Sequence, residues 1–291
     1  MFYLCKTRWL LGLAGIRLEA SSPQQQFLLT FESPIWQIRV DYEQGLLAFE
    51  LRDSDRLQVE FAVLNLQNGQ LSAPYRAPEN WWMGLEDAYG RMLFLHGFGN
   101  RAIGTHQGIT AVSADSYQIL WQQDQTVFYG LADNSRIIAR PVKAENEFFQ
   151  ALNAQTGVIL ETNINPVEAQ AAVTSFNRSR TSKSNYPVHY PATSEHFALL
   201  SQFIFSHSER QGQGAIDYLE TEKYLILGYN EVVAKGKWQN ILGVYSATEG
   251  TLLLEEVLTA SASGLVRDTF FVINNTLLFI KAKNTLVGYF V

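Results

Sequence analysis

Five histidines, His96, His106, His189, His196 and His207, are the side chains in this chain best suited to proton transfer or metal binding. No two stand at the i, i+4 spacing, with a Glu partner, of a zinc-binding helix. His96 and His106 flank a glycine-rich stretch, GFGNRAIG (97–104), which has the glycines of a loose loop. His189 and His196 flank the turn YPATSE. A metal would need convergence in space that chain spacing does not show, so no metal site is expected. The phrase NYPVHYP, Asn185–Pro191, is locally rigid because its two prolines fix the backbone. It can present Tyr186, His189 and Tyr190 to a ligand at the mouth of a ring, or serve as an extended connector. Trp81 and Trp82 are adjacent, so in a strand their rings point to opposite faces. One can enter a core while the other stacks on a sugar or peptide. Those five residues are the candidate ligand-binding set. Arg178, Arg180 and Lys183 lie among serines, where they could meet an anion or simply be solvated. Asp53 and Asp55 in RDSDR lack the Gly and Glu of a calcium loop and fit a turn. No Gly-x-Ser-x-Gly elbow occurs, and no catalytic residue can be assigned.

The elements that must carry these residues repeat. FAVLNLQNGQL (61–71), ITAVSADSYQIL (109–120), FQALNAQTGVIL (149–160) and LGVYSATEGTLL (242–253) each run from an alternating apolar strand through a tight turn into a second strand. Alternation marks a half-buried strand, and the turn glycines Gly69, Gly157 and Gly250 accept the positive φ that short hairpins require. The second phrase has Tyr117 at that position. Two further strand-like runs precede each hairpin: WQIRVDY and LLAFELR, WWMGLED and RMLFLHGF, VFYGLAD and RIIARPV, AIDYLET and YLILGYN. Four short strands recurring at about 40–50 residues predict the blades of a β-propeller. The chain ends on TFFVIN, LLFIKAK and LVGYFV with no fourth strand, whereas QFLLTFE (26–32) stands alone near the start. An N-terminal strand that completes the last blade accounts for both and removes two sheet edges.

The phrases ALNAQTGVIL and AVSADSYQILW, the latter ending in Trp121, resemble the third and fourth strands of quinoprotein-type (PQQ-repeat-like, broadly WD40-like) β-propeller blades. The resemblance covers roughly 36–162 and 215–291 and implies a propeller, of a kind found in bacterial families. It carries over no functional residue. No calcium-ligand motif for a quinone can be assigned, so no cofactor is expected.

Residues 163–213 break the pattern. NPVEAQAAVTSF has helical spacing, with Asn165 as cap and Pro166 in the first turn. TSEHFALLSQFIF places Phe197, Leu200, Phe203 and Ile204 on one helical face after Ser194. The expectation is one all-β domain over 1–291, with five readable blades and a partly helical insertion at 163–213 lying across the ring. A degenerate sixth blade is the alternative.

With 291 residues, a 47% apolar fraction and only 17% charged residues, the chain can bury many strands. A net charge of −6 argues against nucleic acid as a partner. No apolar run approaches the ~20 residues of a membrane span. Lys6 and Arg8 precede an apolar run, but Arg17 and Glu19 follow where a cleavage site should stand. A cytoplasmic location is therefore expected, with export as the alternative. Cys5 is the single cysteine. A fold with no identifiable nucleophile is expected to be a non-catalytic scaffold for a protein, peptide or small ligand. The alternative is a propeller enzyme, hydrolase or oxidoreductase, with its site at the channel mouth under the insertion.

Overall fold

The computed structural model describes residues 21–76, 80–142, 148–265 and 269–291. Cys5 and the signal-like segment lie outside the described residues. Strand β1 (Gln24–Thr30) is followed by blade 1: β2 (Ile35–Asp41), β3 (Leu46–Asp53), β4 (Gln58–Asn65) and β5 (Tyr75–Arg76). Blade 2 comprises β6 (Met83–Tyr89), β7 (Met92–Asn100), β8 (Thr105–Ser113) and β9 (Ile119–Gln123). Blade 3 comprises β10 (Thr126–Leu131), β11 (Arg136–Pro141), β12 (Phe149–Asn153) and β13 (Ile159–Ile164). The insertion then supplies α1 (Pro166–Arg180), β14 (Ser184–Asn185), β15 (Val188–Pro191) and α2 (Glu195–Ser208). Blade 4 comprises β16 (Gln213–Glu220), β17 (Tyr224–Ala234), β18 (Lys237–Ser246) and β19 (Leu252–Ala262). Blade 5 comprises β20 (Phe270–Ile273), β21 (Thr276–Lys281) and β22 (Thr285–Phe290), and β1 is its fourth strand.

The protein is thus a β-propeller of antiparallel blades closed by its N-terminal strand. β1 pairs with β22 from Gln24 opposite Phe290 to Thr30 opposite Thr285. The turn position of all four repeated hairpins is left-handed, with φ of 69° at Gly69 and Gly157, 72° at Gly250 and 57° at Tyr117. Tyr117 tolerates a conformation that favours glycine because its ring is anchored. It stacks on Tyr75 at 4.9 Å, and its hydroxyl lies 2.5 Å from that of Ser72.

Alternation along the strands gives each blade two apolar faces, and these bind the blades in series. Leu47, Phe49 and Leu64 of blade 1 share a core with Leu278 and Leu286 of blade 5. The opposite face of blade 1, with Ala48 and Phe61, packs on Leu85 and Leu95 of blade 2. Phe94 and Trp121 continue this into Leu131 and Leu152 of blade 3. Trp121 also fixes this junction by direction, since its indole N–H donates to the Ala154 carbonyl at 2.9 Å. Blades 4 and 5 share Ile226, Val244, Phe270 and Leu277.

Among the described residues, blades 3 and 4 share no such core. The free face of blade 3, with Ile138, Ala151 and Ile164, is covered by Ala169 and Val173 of α1. The free face of blade 4, with Ile216, Tyr229 and Tyr245, is covered by Ile204, Phe197, Leu200 and Phe203 of α2. The helices therefore do not lie across the ring as expected. They stand on the two blade faces that a sixth blade would otherwise bury. Their caps are as expected: Asn165 accepts from the Glu168 N–H at 3.0 Å, and Ser194 caps α2. Ile204→Ala should lower stability by about 2–5 kcal/mol, because the side chain is fully buried between helix and sheet. Hydrogen exchange should accelerate in α2 and blade 4 while blades 1 and 2 stay protected. Acceleration spread evenly over all blades would contradict this arrangement.

Candidate functional site

The short strands of the insertion extend two blades at their inner edges, where the first strand of each blade lines the ring axis. β14 pairs with β20, placing Asn185 opposite Val272. β15 pairs with β16, from Val188 opposite Tyr218 to Pro191 opposite Ala215. NYPVHYP is thus an extended segment built into the inner edges of blades 4 and 5. His189 faces Asp217 across this pairing, and its Nδ1 lies 2.7 Å from Oδ1 of that buried carboxylate. A carboxylate-oriented imidazole can act as a general base, and it can equally peg two strands together. Tyr186 stacks on Phe271 at 5.7 Å, and its hydroxyl is 2.7 Å from that of Tyr42 in blade 1. Burial, and then this contact with Tyr186, pushes the Tyr42 phenol above its ordinary range. Tyr190 meets His196 edge-on at 5.0 Å.

The tryptophans belong to a different blade. Trp81 and Trp82 lie in a 3-10 turn, Asn80–Trp82, that precedes β6, rather than within a strand with rings on opposite faces. The turn lets both rings receive cations: the Arg52 guanidinium lies 4.7 Å from the Trp81 ring and that of Arg101 5.0 Å from Trp82. Trp82 borders an open cavity of about 470 Å³ with Phe98, Arg101, Gln107 and Asp124. The five candidate residues are therefore divided between the ring axis at blades 4 and 5 and the entrance to blade 2. Of the basic cluster, Arg180 pairs with the buried Asp87 of blade 2 at 2.6 and 3.0 Å and ties the end of α1, which covers blade 3, to the neighbouring blade. Asp53 accepts from the N–H groups of Asp55 and Arg56 at 3.0 Å, which makes RDSDR a turn.

A grouping that chain spacing did not show lies in blade 2. The stretch expected as a loose loop is largely hairpin, with Phe98 opposite His106. This hairpin brings His96 and His106 together, with rings stacked at 3.5 Å and 12° between planes. Glu86 of β6 joins them, its Oε1 2.8 Å from His106 Nδ1 and 3.0 Å from His96 Nδ1. Burial alone would raise the Glu86 carboxyl, but the adjoining His96 and His106 outweigh it and hold it below its ordinary range.

The outer rim presents a second feature. Ile119 and Leu120 of β9, with Val158, Ile159 and Leu160 at and before the start of β13, are each about half exposed. Gln123 reaches from β9 to the Gly157 carbonyl at 2.9 Å, so the two runs are neighbours. Among the described residues, no helix is long and apolar enough to cross a membrane.

A family model described as a domain of unknown function (DUF4905) matches residues 40–121, from the end of β2 to Trp121. No curated protein matches. Among solved structures, BamB from Moraxella catarrhalis is 10% identical, over 92% of this chain and 100% of that one, with a TM-score of 0.32. The β-propeller domain of the trilobed protease from Pyrococcus furiosus is 10% identical over 88% and 81%, with a TM-score of 0.33. A member of the duf4221 family from Bacteroides vulgatus is 9% identical over 93% and 98%, with a TM-score of 0.36.

Proposed function

We propose that this propeller is a non-catalytic scaffold that binds a protein or extended peptide at the outer rim of blades 2 and 3. The observation that carries it is the exposed aliphatic run Ile119, Leu120, Val158, Ile159 and Leu160 on two neighbouring fourth strands. An outermost strand has one unpaired edge, which folded proteins ordinarily blunt with charge or proline. Here it carries five aliphatic side chains, a surface suited to an added strand with apolar side chains of its own. A rim site is favoured over an axial one because the insertion already occupies the inner edges of blades 4 and 5. An enzyme site beneath the insertion is the weaker reading for the same reason. The docking of Trp121 on the next blade supports quinoprotein-type ancestry for the repeat.

Ile159→Lys with Leu160→Lys should leave the melting temperature nearly unchanged, since exposed substitutions usually alter stability by about 0.5 kcal/mol or less. A photo-crosslinker at Leu120 should capture a discrete partner in the native cell, and the double variant should lose it. Undiminished capture by the double variant would refute a rim site.

A further inference from the structure

We propose that Glu86, His96 and His106 form a binding site for one divalent transition-metal ion of the zinc class. Two imidazoles and one carboxylate are the donor set that borderline first-row dications prefer, and three protein donors leave a position open for water or a ligand. The donor atoms all lie within 4.8 Å of one another. Glu86 Oε1 lies 2.8 and 3.0 Å from the two Nδ1 atoms, somewhat closer than the roughly 3.3 Å between two donors of a tetrahedral zinc site, so an ion would spread the donors and turn the stacked rings apart.

The backbone aims these groups. Glu86 is skipped in the β6–β7 register, where Leu85 faces Leu95 and Asp87 faces Phe94. A second irregularity falls at His96, between Leu95 and Gly97 in the β7–β8 register. Bulged residues of this kind are re-aimed relative to their strand, and they recur beside functional sites. The Arg39 side chain donates to the Glu86 carbonyl at 2.6 Å and fixes the bulge from blade 1. Gly84, opposite His96, leaves room for the ring: a Cβ there would stand 2.5 Å from His96 Cε1. Phe98 meets both imidazoles edge-on at 5.0 and 5.5 Å and walls one side.

A carboxylate bridging two histidines accounts for only part of this cluster, since it leaves His96 Nε2 without a partner. His106 hydrogen-bonds Glu86 at 2.8 Å, and His96 meets the same oxygen at 3.0 Å as an ion pair. His96 is only 5% exposed, and among the described residues its ring nitrogens have no polar contact besides that of Nδ1 with Glu86. Buried polar atoms are ordinarily satisfied, and a cation accepting a ring-nitrogen lone pair gives His96 a further partner. His106, 43% exposed, gives the ion a route in from solvent.

Full-length protein stripped with a chelator and titrated with Zn(II) by calorimetry should bind one equivalent per chain. Co(II) in its place should develop visible absorption bands. His106→Gln and Glu86→Gln should each weaken Zn(II) binding at least tenfold. His106→Gln changes a surface-accessible side chain, so in chelator it should melt with the parent, while only the parent gains melting temperature on adding Zn(II). Absence of one-to-one binding by the parent would overturn the proposal. Binding by both variants with the parent's affinity would do the same, as it would place the ion elsewhere.

Discussion

Deletion of residues 1–32 is expected to abolish cooperative thermal unfolding of the native ring. The deletion removes β1, the fourth strand of blade 5, and with it Phe27, Leu29 and the buried Phe31 from the core joining blades 5 and 1. Phe31 packs on Phe49 at 5.1 Å, and the Phe27 ring covers Gly288, where a Cβ would lie 2.4 Å from the ring. Each such side chain contributes about 1.5–3 kcal/mol when fully buried, against a total stability of about 5–15 kcal/mol. The loss of pairing also leaves β22 as an open edge. Phe31→Ala alone should cost about 3–5 kcal/mol. Calorimetric melting checks both, and a truncated protein that melts like the full chain would show that β1 does not close the ring.

Glu50→Leu is expected to be nearly as damaging as Phe31→Ala, although it changes no apolar residue. Glu50 is 2% exposed and sits 2.5 Å from Arg52 Nε, with Arg52 itself 9% exposed. The pair is fully used across the blade 1–blade 2 junction. Glu50 accepts from the Leu85 N–H at 2.6 Å, while Arg52 donates to the Met83 carbonyl at 2.6 Å and the Trp81 carbonyl at 3.0 Å. Removing one member leaves a buried charge unpaired, at a cost of about 3–5 kcal/mol. Adding Arg52→Met removes that charge and should recover part of the loss. Recovery stays incomplete because the Leu85 N–H and Met83 carbonyl lose their partners, each worth about 1–3 kcal/mol when buried. Denaturant melts of the two variants test the order, and a double variant less stable than Glu50→Leu would contradict it.

Much of the fold is legible in local patterns because strand alternation, turn glycines and helix caps act over a few residues. The four hairpin phrases, the lone QFLLTFE strand and the missing last strand suffice for a closed propeller. Asn165, Pro166 and Ser194 mark helix starts, and the face of Phe197, Leu200, Phe203 and Ile204 is the one buried against blade 4. The place of those helices was not legible. Apolar periodicity says that a face is buried but not against what, and only the absence of a shared core between blades 3 and 4 shows what α1 and α2 cover.

The sites divide in the same way. Sequence picked His189, Tyr190 and Tyr186 for their rigid setting, but pairing with β16 and β20 set where that segment runs, and the buried Asp217 carboxylate came from 28 residues away. Trp81 and Trp82 open WWMGLED, which reads as a strand with the two rings on opposite faces, whereas the turn before β6 swings both toward arginines. Glu86, His96 and His106 left no trace in spacing. Their glycine-rich neighbourhood looked like a loop, and two register irregularities, invisible to alternation, turn the three side chains to one point. Local sequence by itself determined most of the strands, helices and turns, since those preferences are decided within a few residues, but not the turn at Trp81 or the pairing through residues 97–100. Tertiary structure alone decided which donors meet, since a shift of one residue in register turns a side chain to the other face.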